Sequence, residues 1–475
     1  PAAVPPPPAE CRAFAEHPTA GCIPAGKARE MLAAAVAPAR SPLERDAALA
    51  CLEESGDFAD GLLRALRAEL SPVVCADAIA APLVEKPPKK LALDVEGTLL
   101  GLVLSARLER LLGNPPELAS PFSKERFLAF QRDELAPWIV SQALAIDQLS
   151  VQGARLTGYG RGIAAIASGN ADLRFVETVR EIPLPEEIRA DRELADVYYG
   201  SLDEALEPRK QRGRDAALAG LRVFAELGAI GDPRVERART LLSKLWAGSR
   251  VDALDALLVP ALPPEKSSGA EGELAGALPT FYSTRVLSAG DAQNPDVLRA
   301  FAARGVPKPF RDALDPKKIS PPARLVLSMA LVDSGRRYFR AADFRRAREV
   351  LAQGKVDDAG HLLSALAVAL ARGPEDTAEL MLKGPGVKGA FDVSALDAIA
   401  KQNGVYAGAA AFDAAYVLGL VPKPDDPAFW DDLGARFEMA QKLLSEKKAP
   451  LEEREHARKY AEGARATARA LRDKR

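Results

Sequence analysis

Four cysteines, Cys11, Cys22, Cys51 and Cys75, are the residues of this chain best suited to chemistry, and all lie in the first 75 of its 475 residues. An even number confined to one short region reads as a disulfide framework formed in an oxidising compartment. Four cysteines allow three pairings. The expectation is Cys11–Cys22 with Cys51–Cys75, each closing a short loop and stabilising by about 3 kcal/mol through the entropy it removes from the unfolded chain. Reduced buried thiols are one rival reading. A metal site is another, but zinc sites present close pairs such as C-x-x-C, and the spacings here are 11, 29 and 24. No metal or cofactor is expected.

The remaining candidates for chemistry are few. His17, His361 and His456 do not assemble a catalytic triad or a zinc hydrolase. His361 reads as a surface or partly packed helical residue, and His456 as a surface pair with Glu452 at i,i+4. Gly158-x-Gly160-x-Gly162 has the spacing of a dinucleotide loop, but Gln152–Leu156 before it reads as helix rather than strand. These glycines are therefore assigned to close helix packing. Gly384-Pro385-Gly386-Val387-Lys388-Gly389 lacks the Gly-Lys-Ser/Thr of a phosphate loop and reads as a turn. The doublets Asp357-Asp358, Asp425-Asp426 and Asp431-Asp432 fall at turns or first helical turns, where acids suit the helix dipole. Arg209-Lys210-Gln211-Arg212-Gly213-Arg214 reads as a solvated loop between helices. Its alternative is contact of Arg209, Lys210, Arg212 and Arg214 with an anionic partner.

The elements that would position these residues are helical. Ser41-Pro42-Leu43-Glu44 is a capping box with proline at the first helical position, and Gly56 marks the stop. Leu62, Leu63, Leu66 and Leu70 recur at helical spacing. Helices are expected over Leu91–Leu112, then Ser123–Leu149 with Leu144 on its apolar side and a kink at Pro137. Further helices are expected over 163–167, 172–181, 191–206, 215–227 and 233–246. Alternating strand-like runs are rare and aromatic residues make up 6%. The fold class is all-α, an α-solenoid of helix pairs behind a disulfide-stapled N-terminal helical module.

Composition bounds the partners. A net charge of −2 argues against nucleic acid, and no apolar run approaches the roughly 18 residues of a membrane helix. The expected organisation is a Pro-rich spacer at 1–10, a cysteine-containing module at 11–88, a helical domain at 89–258, a Pro/Ser/Gly linker at 259–280 and a second helical domain at 281–475. Five prolines in the first eight residues favour a polyproline II stalk of roughly 25 Å. Such a stalk suits a lipid-anchored envelope protein. An unstructured terminus without an anchor is the alternative.

Two stretches resemble tetratricopeptide repeats. Trp430, Leu433, Gly434 and Phe437 match the opening helix, with Gly434 admitting the second helix. Leu331, Gly335, Tyr338, Phe344, Ala347 and Leu351 match from the first helix into the second, and Ser445–Pro450 inserts extra residues into the later copy. Gly158–Gly162, Ala171–Val176 and Asp203–Lys210 resemble runs of large repeat proteins of deltaproteobacterial cell envelopes, some belonging to gliding-motility machinery. That resemblance implies a non-enzymatic interaction scaffold in an extracytoplasmic assembly of a Gram-negative bacterium, periplasmic or held at the outer membrane as a lipoprotein. Its partners would be other envelope proteins. A cell-wall glycan-binding or glycan-processing protein is the second reading. Glu53-Glu54-Ser55 is similar to the Glu-Ser of lytic transglycosylases, without the Gly-Leu-Met-Gln type segment of that family, and reads as solvated acids at a helix end. A small-ligand carrier with its pocket at the 259–280 linker is the third.

Overall fold

The computed structural model describes residues 4–15, 27–113, 115–118, 123–184, 189–245, 251–261, 269–302, 304–371, 391–420 and 425–474. These are helical, with no strand among the described residues, and the chain divides into two compact units.

The first unit comprises Pro1–Leu227, Asp232–Leu242 and Ala277–Tyr282. Its helices are α1 (Arg12–Ala15), α2 (Ala28–Val36), α3 (Pro42–Ser55), α4 (Leu62–Leu70), α5 (Ala76–Glu85), α6 (Leu93–Arg110), α7 (Lys124–Phe130), α8 (Ala136–Ala154), α9 (Gly158–Arg180) and α10 (Arg192–Leu227), with most of α11 (Pro233–Leu245). Start and stop signals act as read. Ser41 and Glu44 form the reciprocal capping box, and Gly56 ends α3 in the left-handed region at φ 72°. A π turn over Gln131–Leu135 separates α7 from α8, with Pro137 placed in the first turn of α8.

Two expected helix breaks are absent. Residues 163–167 and 172–180 belong to the single 23-residue α9, and 192–206 and 215–227 to the 36-residue α10. α9 has apolar side chains buried all round, because α6, α8 and α10 surround it. Glycines make this approach geometrically feasible. A Cβ on Gly160 would stand 1.9 Å from the Gly97 carbonyl oxygen of α6, and one on Gly169 would stand 2.7 Å from the Gly213 oxygen of α10. The assignment to close packing therefore holds for Gly160 and for Gly162, whose Cβ would stand 2.7 Å from the Phe224 ring, but not for Gly158, which has nothing within 4 Å and opens α9 at φ 56°.

The N-terminal staple corrects the expected pairing. Cys11 joins Cys75, with Cα atoms 5.0 Å apart, so neither favoured local pair can exist. Cys51 is also disulfide-bonded, and Cys22 lies outside the described residues. The reason is the long-range geometry around Arg110. Its guanidinium donates to Asp77 (2.7 and 2.8 Å), to the Val74 carbonyl (2.9 Å) and to the Pro5 carbonyl (2.8 Å), holding the chain start against the turn that carries Cys75. Val4 packs on the apolar cluster of Leu104, Leu108 and Leu111. The chain start is thus tied to the body at Val4 and Pro5, while Pro6 and Pro7 stay exposed. Residues 11–88 fall within the first unit together with α6–α10.

The second unit comprises Gly228–Gly231, Ser243–Gly276 and Ser283–Arg475. It contains α12 (Gly269–Ala277, less its last residue), the end of α13 (Thr280–Val286), α14 (Pro295–Ala302), α15 (Lys308–Ala313), α16 (Pro321–Tyr338), α17 (Ala341–Leu351), α18 (Asp358–Leu370), α19 (Ser394–Lys401), α20 (Ala407–Gly419), α21 (Pro427–Glu446) and α22 (Leu451–Asp473). The expected 259–280 linker is structured where described: Leu274 and Ala275 are buried in α12. The Gly384–Gly389 turn and residues 262–268 lie outside the described residues.

Helix pairs form where the repeat residues stand. Gly335 of α16 faces Phe344 of α17, its hypothetical Cβ 2.8 Å from the ring, and Leu331, Tyr338, Ala347 and Leu351 are buried with them. Gly434 of α21 similarly receives Arg465 of α22 at 2.9 Å, while Leu433 and Phe437 are buried and Trp430 packs partly buried on the same cluster. The inserted residues lengthen α21 to 20 residues and leave a short turn over 447–450.

Candidate functional site

Charged residues of the first unit are used as struts between helices. Asp172 of α9 is 1% exposed and accepts from Arg209 Nη1 and from Arg212 Nε and Nη2, each at 2.7 Å. Asp147 of α8 adds contacts to Arg209 (3.3 Å) and Arg212 (2.6 Å), and Arg209 lies over the Phe175 ring. Lys210 reaches Glu207, and Arg214 bonds Gln211 and approaches Asp215. This corrects the reading of 209–214 as a solvated loop. The run is helical, and Arg209 and Arg212 face an internal acid, which counts against the alternative of an anionic partner at those two residues. Asp172 holds the Arg212 guanidinium well above its usual range.

A second buried network lay outside the sequence reading. Glu69 of α4 accepts from Arg234 of α11 and from the Tyr159 hydroxyl (3.0 Å), and Arg234 also donates to Asp232 (2.8 Å). Tyr159 stacks on Phe281 at 5.2 Å. Burial pushes the Glu69 carboxyl up and Asp232 adds to this, while Arg234 draws it down. The legible signal was Glu69 itself, an acid three residues beyond Leu66 on the apolar stripe of α4.

In the second unit Asp413 of α20 is fully buried. Its Oδ1 accepts from the Leu258 backbone N–H at 2.8 Å, and its Oδ2 has no partner. Burial drives its carboxyl well above the ordinary carboxylate range. Arg336 donates to the Leu257 carbonyl (3.0 Å) and the Tyr416 hydroxyl to the Ala253 carbonyl. Three side chains thus clasp the backbone of a strap, 251–260, whose Val251, Leu254, Leu257 and Pro260 are buried. An acid alone in the run Ala410-Ala411-Phe412-Asp413-Ala414-Ala415 was the available signal.

The other candidates resolve into structure. Glu53 pairs with Arg64 (2.9 Å) and Arg67 (3.0 Å) rather than standing solvated. Asp357 caps α18 through the Gly360 N–H (2.8 Å) and Asp426 caps α21 through the Ala428 N–H (3.0 Å). His361 is exposed. His456 is not a plain surface residue: its ring lies 5.0 Å from Tyr460 and 5.5 Å from Phe412, and burial lowers its pKa. His17 lies outside the described residues. A cavity of about 250 Å³ lined by Pro321, Arg324, Leu351, Lys355 and Asp357 contains neither Glu69 nor Asp413. Among the described residues no cluster of three or more His, Cys, Asp or Glu is placed to hold a metal, and no helix is long and apolar enough to cross a membrane.

What the first unit does display is apolar. Of the twelve large apolar side chains exposed among the described residues, seven fall between Leu128 and Tyr199. That segment is the candidate site. No family model, curated protein or solved structure matches the chain.

Proposed function

We propose that this protein is a non-enzymatic interaction scaffold of the cell envelope, a tetratricopeptide-like assembly of helix pairs that docks segments of other envelope proteins. The observation that carries the reading is the division of labour among side chains. Buried ions such as Asp172, Arg209 and Arg234 are spent on joining helices, while seven large apolar side chains between Leu128 and Tyr199 are exposed. A contiguous apolar surface is a feature of docking rather than of bond-making sites. The Cys11–Cys75 bond supports maturation in an oxidising compartment, the periplasm or the outer-membrane surface. A motility-related assembly is one setting consistent with it.

The glycan reading has one observation in its favour, the raised carboxyls of Glu69 and Asp413. Both carboxyls are engaged by the protein itself, Glu69 by Arg234 and the Tyr159 hydroxyl and Asp413 by the Leu258 N–H, which favours a structural role for each. In-cell crosslinking with non-reducing peptide mass spectrometry tests the scaffold. Envelope-protein adducts and an intact Cys11–Cys75 peptide are expected. Free thiols, or glycan turnover lost in Glu69→Gln, would overturn it.

A further inference from the structure

The chain has four asparagines, Asn114, Asn170, Asn294 and Asn403. Asn114 and Asn294 precede proline, whose nitrogen carries no hydrogen. Asn170 is buried within α9. Asn403 alone is followed by glycine, and it stands exposed in the turn between α19 and α20. Neither its side-chain amide nor the Gly404 N–H makes a hydrogen bond among the described residues. A Cβ on Gly404 would meet nothing within 4 Å, so the space beside this peptide is open.

These features suit an internal acyl transfer. The Gly404 nitrogen, on losing its proton to base, attacks the Asn403 Cγ. An N–Cγ bond forms, the bond from Cγ to the side-chain nitrogen breaks, and that nitrogen leaves with an added proton as ammonia. Water then opens the cyclic imide. Addition at Cγ gives aspartate. Addition at the former backbone carbonyl gives isoaspartate, whose main chain runs through the side-chain CH2. Glycine favours the ring closure because it places no Cβ beside the attacking nitrogen and leaves the backbone free to turn.

The fold sets the pace of this step. Asn403 has φ 55°, a region that non-glycine residues occupy mostly as αL. In αL the following nitrogen is turned away from Cγ, so the Asn403–Gly404 peptide must rotate about the Cα–C bond before attack. The Asn403 carbonyl oxygen accepts from Lys447 Nζ at 2.7 Å, across from the end of α21. Rotation carries that oxygen away from the lysine. The tie therefore holds the peptide in its unreactive orientation.

We propose that Asn403 is a site of spontaneous deamidation, with Lys447 as the residue that restrains it. Either product adds a carboxylate beside Lys447, and isoaspartate also lengthens the main chain of the α19–α20 turn. An aged molecule thus differs from a new one in charge and backbone at one defined turn of the second unit.

The test is incubation of the full chain in mildly alkaline buffer, with peptide mass spectrometry at intervals. The peptide containing Asn403 is expected to gain the mass of an amide turned into an acid and to separate into aspartyl and isoaspartyl forms. Asn114, Asn170 and Asn294 should stay intact. Gly404→Ala should slow conversion several-fold, and the open space there lets this variant fold as the parent does. Lys447→Met should quicken it about three-fold, the scale of one exposed charged contact. Lys447→Arg, which can still donate, should return the rate to the parent's. In urea the parent and both Lys447 variants should convert alike, because the turn is gone. An Asn403 that converts in urea but stays unchanged in the folded chain overturns the site. Equal folded-state rates for the parent and Lys447→Met overturn the role given to Lys447.

Discussion

Asp172 accepts from Arg212 through both of its oxygens at 2.7 Å and from Arg209 through one of them, so one buried carboxylate bridges two arginines a turn apart. Removing it leaves Arg209, with 15% of its side chain exposed, without its closest counter-ion. Asp172→Ala should cost about 3 kcal/mol, the low end for breaking a buried pair because Arg212 remains partly solvated. Urea unfolding of Asp172→Ala, Arg209→Ala and the double variant measures this. The two single effects are expected to be strongly non-additive.

Asp413 gives a pH signature. Its folded-state carboxyl titrates above the unfolded value, so between those two pH values the folded protein holds a proton that the unfolded chain releases. Stability from this group is present below the unfolded pKa, falls as pH rises through the window, and levels off above the folded pKa. Arg336 of α16 draws the carboxyl down and Glu453 of α22 pushes it up, but burial dominates. Asp413→Asn retains an acceptor for the Leu258 N–H and cannot ionise. Its urea midpoint should decline less than the parent's from about pH 4 upward, and should equal or exceed it at neutral pH.

Glycines in helices should respond with opposite signs. Gly160→Ala would drive a methyl into the Gly97 carbonyl, so the loss should exceed the roughly 1 kcal/mol by which alanine favours a helix. Gly200, inside α10, has nothing within 4 Å of a hypothetical Cβ. Gly200→Ala should gain up to about 1 kcal/mol. Thermal melts of the two variants check both signs.

The Cys11–Cys75 bond spans a sequence separation of 64, and the chain-entropy relation gives about 4 kcal/mol for a loop of that size. Cys75→Ser should lower stability by that order. Non-reducing peptide maps of the parent should link the Cys11 and Cys75 peptides.

The helical class, the Ser41 cap and the Gly56 stop were legible because each depends on a few neighbouring residues, and the close approach at Gly434 because a repeat spacing marked it, though not that Arg465 would be the residue received there. The length of α9 and α10 was not. Gly158, Gly160, Gly162 and Gly169 lower the helix propensity of α9, and only packing with α6 and α10 restores it. The basic run of 209–214 suggested a loop, and only the distant Asp172 shows why the chain stays helical there. Buried ionic partners such as Glu69 and Arg234 stand 165 positions apart, beyond any local pattern. Leu144 was expected on the apolar side of its helix, but α9 packs on the face of Ala145, Ile146 and Leu149 and leaves Leu144 half exposed.

The Cys11–Cys75 connection also bears on biogenesis. The cysteines are synthesised in the order 11, 22, 51, 75, and the first has the last as its partner. An oxidase acting on the growing chain would meet Cys11 and Cys22 together long before Cys75 exists, and the bond it made between them would be the wrong one. Maturation of this chain thus calls for delayed oxidation or for thiol–disulfide exchange that undoes early pairs, so its yield should follow the supply of a disulfide isomerase rather than of an oxidant alone.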